Sequence, residues 1–159
     1  MIDPTAALRL PVSQDVIDQH RQLQSARGVH PLKDRILDKE DPSLEFDVAA
    51  IEAAVRAGQV PTQQGTWSTK YAKKIWKLDY SGGVLSQGDG SILDLVWVAI
   101  MPTARQAEPV IVLQYDDGSS LLDGSHRLAR AWMDGKQSHP SVILLRNDAL
   151  HLRKHALVL

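Results

Sequence analysis

The residues with the widest chemical reach in this chain stand together at Asp123-Gly124-Ser125-His126-Arg127. A carboxylate, a glycine, a hydroxyl, an imidazole and a guanidinium follow one another without a gap. The apolar pair Leu121-Leu122 precedes them. Leu128, Ala131 and Trp132 follow at i, i+3, i+4 spacing, and Gly135 sits where a helix would stop. The pattern predicts a strand, a glycine turn and a helix N-terminus. Such a turn aims backbone N–H groups and the positive end of the helix dipole at one small volume. With His126 and Arg127 added, that volume suits an anion, and phosphate above all. The plain alternative is an Asp-Gly strand-to-helix turn that holds no ligand. Two features weigh towards the anion. Gly124 has no Cβ to keep a phosphate off the backbone. Both basic residues fall in the first helical turn, where the dipole opposes a cation unless an anion compensates.

Each residue then has a candidate role. Gly124 allows close approach, and Ser125 caps the helix or touches phosphate. Arg127 neutralises charge, ideally through two parallel hydrogen bonds. His126 donates to phosphate or moves a proton. Asp123 caps the helix, holds Mg2+, or accepts a proton from a substrate hydroxyl. Glu108, just before a strand expected to end near the same turn, is a second candidate carboxylate. Arg130, one turn after Arg127, extends the basic rim or lies in solvent. Asp123, His126 and Glu108 are thus the candidate catalytic groups. Gly124, Ser125, His126, Arg127 and Arg130 are the candidate phosphate ligands.

The elements that must position these residues can be read from periodicity. Strands are expected at Val110 to Tyr115, Ser120 to Asp123 and Ser141 to Leu145, with a hairpin at Asp116-Asp117-Gly118-Ser119. Ile92 to Met101 is nearly continuous and apolar, as suits a strand buried on both faces. Pro102 to Glu108 reads as a loop. Upstream, Ser13 is a plausible N-cap for an amphipathic helix bearing Val16, Ile17, His20 and Leu23 and ending at Gly28. On that helix His20 reads as a core-edge residue. Pro31 to Leu37 reads as a further helical turn, and Asp41-Pro42-Ser43 as a turn or cap. A second helix carries Phe46, Val48, Ile51, Ala54 and Val55 and ends at Gly58. Ser81-Gly82-Gly83 and Gln87-Gly88-Asp89-Gly90 read as turns around a short strand or loop. The tail from Asp148 reads as a closing helix. His30 and His139 precede prolines and read as loop residues. His151 and His155 have a spacing that holds a metal only if a third ligand approaches.

Residues 66–80 are the one dense basic-aromatic block, with Trp67, Lys70, Tyr71, Lys73, Lys74, Trp76 and Lys77. Rings and lysines so mixed suit single-stranded nucleic acid. They suit an amphipathic helix with a solvated lysine face better.

Composition bounds these readings. A chain of 159 residues with 43% apolar and 23% charged residues builds one ordinary core, so a single domain over 1–159 is expected, mainly helical over 1–60. A net charge of −1 provides no global field to recruit nucleic acid or a membrane surface. With no cysteine, disulfide and thiol chemistry are excluded. No apolar run approaches the ~20 residues of a membrane span, and the N-terminus lacks a leader pattern, so a cytoplasmic protein of bacterial type is the expectation.

The string Leu121-Leu122-Asp123-Gly124-Ser125-His126-Arg127-Leu128-Ala129-Arg130-Ala131-Trp132-Met133-Asp134-Gly135-Lys136 resembles the signature turn of the ParB/sulfiredoxin-like fold. There a strand runs into a Gly-x-His-Arg or Gly-x-Arg-Arg turn that opens a helix and holds nucleotide phosphates. Pro109 to Leu113, Asp117-Gly118 and His139 to Leu145 are similar to the flanking strand, hairpin and strand, so the resemblance covers residues 108–146. Residues 46–61 are similar to the helix before that family's second strand, or are an unrelated addition. The resemblance implies an α+β fold, a small mixed sheet flanked by helices, with its core over 92–146 and an N-terminal helical extension. It also implies a nucleotide (ATP, ADP or CTP) with Mg2+ as cofactor, and phosphoryl transfer or nucleotide hydrolysis on a small-molecule or nucleic-acid substrate. ParB-like proteins bind and hydrolyse CTP and clamp DNA, but with a separate helix-turn-helix domain for which no room is expected after residue 146. Small relatives include serine kinases, and others are ATPases with nuclease activity. Sulfiredoxins carry a catalytic cysteine in the turn. Ser125 stands there, and a hydroxyl cannot reduce a sulfinic acid by the thiol route. The alternatives are a DNA-associated or protein-interaction module, or a Mg2+-dependent nuclease or toxin-like effector, on the same fold.

Overall fold

The computed structural model describes residues 13–26, 36–70, 85–87 and 92–156. These form a mixed α+β structure in two units. One draws on segments within 1–34, 67–108 and 125–139, the other on segments within 35–66, 109–124 and 140–159.

The second unit is built on short strands. Val-Ile-Val-Leu opens β6 (Val110–Tyr115) and is buried on both faces. Tyr115-Asp116-Asp117-Gly118 turns the chain into β7 (Gly118–Asp123), antiparallel to β6. β8 (Ser138–Leu145) runs parallel to β6, with Val110 opposite Ser141 and Leu113 opposite Leu144. With β3 (Gln63–Ser68) the sheet order is β3-β8-β6-β7. Pro140, which cannot donate to a ladder, lies just before the first residue of β8 paired with β6.

Helix α2 (Val48–Arg56) starts where the Asp47 carboxylate accepts from Ala50 N–H at 3.1 Å. It buries Val48, Ile51 and Ala54 in one core with Ile111, Leu113, Leu122 and Leu144. Each buried Val, Ile or Leu side chain there contributes about 1.5–3 kcal/mol. The helix ends at Gly58, whose φ of +66° lets Gln59 N–H reach back to Ala54 O and Gly58 N–H to Val55 O. A three-stranded sheet, β1 (Leu37–Asp38), β2 (Asp41–Phe46) and β9 (Arg153–His155), completes this unit, with β2 central and antiparallel to both.

Several expectations are corrected here. Leu37 belongs to a strand rather than a helical turn, and Asp41-Pro42-Ser43 opens β2 rather than capping a helix. Phe46 ends that strand, so the second helix begins later than its apolar spacing suggests. The tail from Asp148 forms 3-10 turns and β9 rather than a closing helix.

In the first unit, α1 (Gln14–Ser25) begins at Ser13 as expected, though it stops before Gly28. β4 (Leu85–Gln87) and β5 (Ile92–Asp94) pair antiparallel. The apolar run from Ile92 is not one strand. Asp94 interrupts it, its Oδ1 accepting from Val96 and Trp97 N–H at 3.0 and 3.2 Å, and so starts α3 (Leu95–Ala99). Thr103–Gln106, read as loop, is a short helix, α4. α5 (Ser125–Met133) packs against α3, α4 and β5 and buries Leu128, Ala129, Ala131 and Met133. In the basic-aromatic block, Trp67 and Ser68 are strand rather than helix. Residues 71–80 of that block, together with Gly28, His30, Ser81 to Gly83 and the Gly88 to Gly90 turn, lie outside the described residues. No described helix is long and apolar enough to cross a membrane.

Candidate functional site

The chain leaves β7 at Asp123, passes Gly124 at φ +109°, and enters α5 at Ser125. A side chain at Gly124 would be strained by that backbone, so glycine is required where the direction changes. Asp123 stands opposite Ile111 in the second unit's sheet. Ser125, His126 and Arg127 form the first turn of the helix, as the sequence indicates.

Within the first unit, Arg127 is 7% exposed. Its Nη1 lies 3.8 Å from Glu108 Oε2, an ion pair longer than a hydrogen bond. The structure thus brings together Glu108, just after α4, and Arg127, in the first turn of α5. Glu108 is also tied to His139, whose Nε2 donates to the Glu108 carbonyl at 2.7 Å. His139 is not a loop residue. It lies in β8 and is almost fully buried. Burial pushes its pKa below the ordinary value. The nearby charges of Arg127 and Lys136 push the same way, against the Glu108 carbonyl, so a neutral ring is held beside a buried cation.

His126 faces a different neighbourhood. Its Nε2 accepts from Asp94 N–H at 3.1 Å, and its ring sits 6.2 Å from that of Trp97. The His20 ring also contacts Trp97, with centroids 5.9 Å apart. His20 Nε2 lies 2.5 Å from Asp94 Oδ2, and its Nδ1 lies 2.6 Å from Val16 O. Asp94 therefore caps α3 with one oxygen, pairs with α1 through the other, and positions His126 through its backbone.

Arg130 does not lie in solvent. Its Nη1 donates to Val98 O and Ala99 O at 3.0 and 2.9 Å, and its Nε to Asp134 at 3.0 Å. It closes the C-terminal end of α3, where a cation meets the negative end of the dipole. His151 and His155 are exposed, and no group of three His, Asp or Glu among the described residues could hold a metal ion.

Asp94, His20 and His139 are the residues that sequence reasoning missed. For Asp94 a signal existed, a lone carboxylate inside an apolar run. For the two histidines none did, because their partners are distant in sequence.

No protein family, curated protein or solved structure matches the chain.

Proposed function

We propose that this chain binds a nucleotide by its phosphates at the start of α5 and acts on it by phosphoryl transfer or hydrolysis. The observation that carries this reading is the placement of Arg127. A guanidinium nine-tenths buried in the first turn of a helix is opposed both by the dipole and by desolvation. The Glu108 carboxylate offsets part of that cost at 3.8 Å. A phosphate dianion would offset more, and would meet the N–H groups of the first turn as well. The chemistry of the donor set, backbone amides, a hydroxyl at Ser125 and a guanidinium, fits an oxyanion. It does not fit a protein-held metal, so Mg2+ would arrive with the phosphates.

In this scheme ATP, ADP or CTP supplies the phosphoryl group. Arg127 orients and neutralises it, and Glu108 is the carboxylate within reach for a proton from the attacking hydroxyl. His126, fixed by Asp94, sets the start of the helix. The resemblance of residues 108–146 to the ParB/sulfiredoxin-like turn supports the same reading, as does the order strand, hairpin, strand, turn, helix, strand over 110–145. The acceptor in this reading is a small molecule or a nucleic acid, met in the cytoplasm.

A thermal-shift panel of ATP, ADP and CTP, with and without Mg2+, tests the proposal. A nucleotide at a hundred times its dissociation constant should stabilise the protein by roughly 2.7 kcal/mol. Arg127→Met should remove that shift while leaving a folded far-UV spectrum. Absence of a shift with every nucleotide overturns the reading.

A further inference from the structure

We infer that a groove at the other end of α5 binds single-stranded nucleic acid, with one base stacked on Trp132 and neighbouring phosphates held by Lys70 and Lys136. The groove has a volume of about 520 Å³, lies within the first unit, and is open along its length rather than enclosed. Ser68, Thr69, Lys70, Trp132, Lys136 and Gln137 line it. It is separate from the Ser125 turn: nine helical residues put the two about 13 Å apart.

Its floor is rigid. α5 ends with Gly135 N–H donating to Trp132 O and Lys136 N–H to Ala131 O. Thr69, buried at the end of β3, then ties the following turn down. Its Oγ1 donates to Lys136 O at 2.6 Å and its N–H to Gln137 O at 3.1 Å. These bonds fix the backbone from which Lys136 rises and hold it beside Lys70. Trp132 is half-buried, so it presents a ring anchored by packing.

The lining selects the ligand. Two lysines and no carboxylate give the groove a formal charge of +2 on a chain whose net charge is −1. Apart from Trp132 and Gly135, every lining residue carries a hydroxyl, amide or ammonium group. One flat aromatic surface flanked by cations is the arrangement that takes an unstacked base and its phosphates. The bases of a duplex are stacked on each other and unavailable to Trp132. The lysines come from two different elements, which provides two phosphate positions and favours a strand over a mononucleotide.

Fluorescence anisotropy of a labelled single-stranded oligothymidylate against the full chain tests this. Binding is expected at low salt and should weaken as salt rises. The double variant Lys70→Glu/Lys136→Glu, at two exposed positions, should weaken it at least tenfold and flatten the salt dependence by roughly one to two units of slope. Trp132→Leu should weaken binding about tenfold with the slope unchanged, and Trp132→Phe should restore most of it. No binding at low salt, or full binding by the charge-reversed variant, overturns the proposal. So does competition by thymidine monophosphate as strong as that of the oligonucleotide.

Discussion

Asp38 has no exposed surface, yet it carries a charge. Arg146 grips it with two hydrogen bonds, Nε to Oδ1 at 2.9 Å and Nη2 to Oδ2 at 2.8 Å. Arg153 adds a third at 2.9 Å and Glu40 N–H a fourth at 3.0 Å. Burial alone would raise the pKa of this carboxyl. The bonds from Arg146, Glu40 N–H and Arg153 outweigh that and lower it from 3.8 to about 2. The native state therefore holds Asp38 ionised where the unfolded chain begins to protonate it. Its contribution to stability is fully present above pH 4 and is lost as pH falls towards 2. A shift of nearly two units corresponds to about 2–3 kcal/mol. Urea unfolding of Asp38→Asn should show a stability loss of at least that size at pH 7, nearly gone at pH 2. The sequence offers no hint of this cluster, because Asp38 is separated from its arginines by most of the chain. The Ser125 turn is different. The glycine and the helix start are legible there, since each depends on its immediate neighbours, whereas the burial of Arg127 beside Glu108 is not. Arg130 and His139 are not legible, because their carbonyl partners come from other elements.

At the scale of elements, legibility follows the same division. Val110–Tyr115, the hairpin and α5 emerge from the sequence because a short β-branched apolar run, an Asp-Gly turn and 3.6-residue spacing all agree there. Ile92 to Met101 does not emerge, because hydropathy cannot tell a buried strand from a buried helix. One side chain, Asp94, decides the matter by capping. The same residue tethers α1, whose buried residue, Gln24, donates to Trp97 O at 2.8 Å, while Val16 and Leu23 are exposed. α1 is therefore held by polar bonds rather than by a hydrophobic stripe. Asp94→Ala should lose the cap and the His20 pair together, costing about 2–4 kcal/mol. In limited proteolysis it should expose residues 14–25 to cleavage well before the rest of the chain.

At the scale of the whole molecule, burial among the described residues is deep in β6, where Val110, Val112 and Leu113 are essentially inaccessible and both neighbouring strands are paired. Hydrogen exchange should rank the described elements accordingly. The amides of β6 should exchange slowest and those of α1 fastest among the helices, a pattern readable by mass spectrometry on peptides. Comparable protection of α1 and β6 would contradict this ranking. The two units each draw on three separated stretches of sequence.

The grip on Asp38 has a consequence for biosynthesis. Its ligands lie at positions 146 and 153, and β2 finds its partner only at residues 153–155. On the ribosome, the hairpin around residue 40 emerges early with a carboxylate that nothing yet neutralises. Translation must reach residue 155 before that hairpin can close its ring of contacts. This unit therefore matures only after β9 has emerged, and a nascent chain stalled before Arg146 would hold the hairpin without its counter-charges.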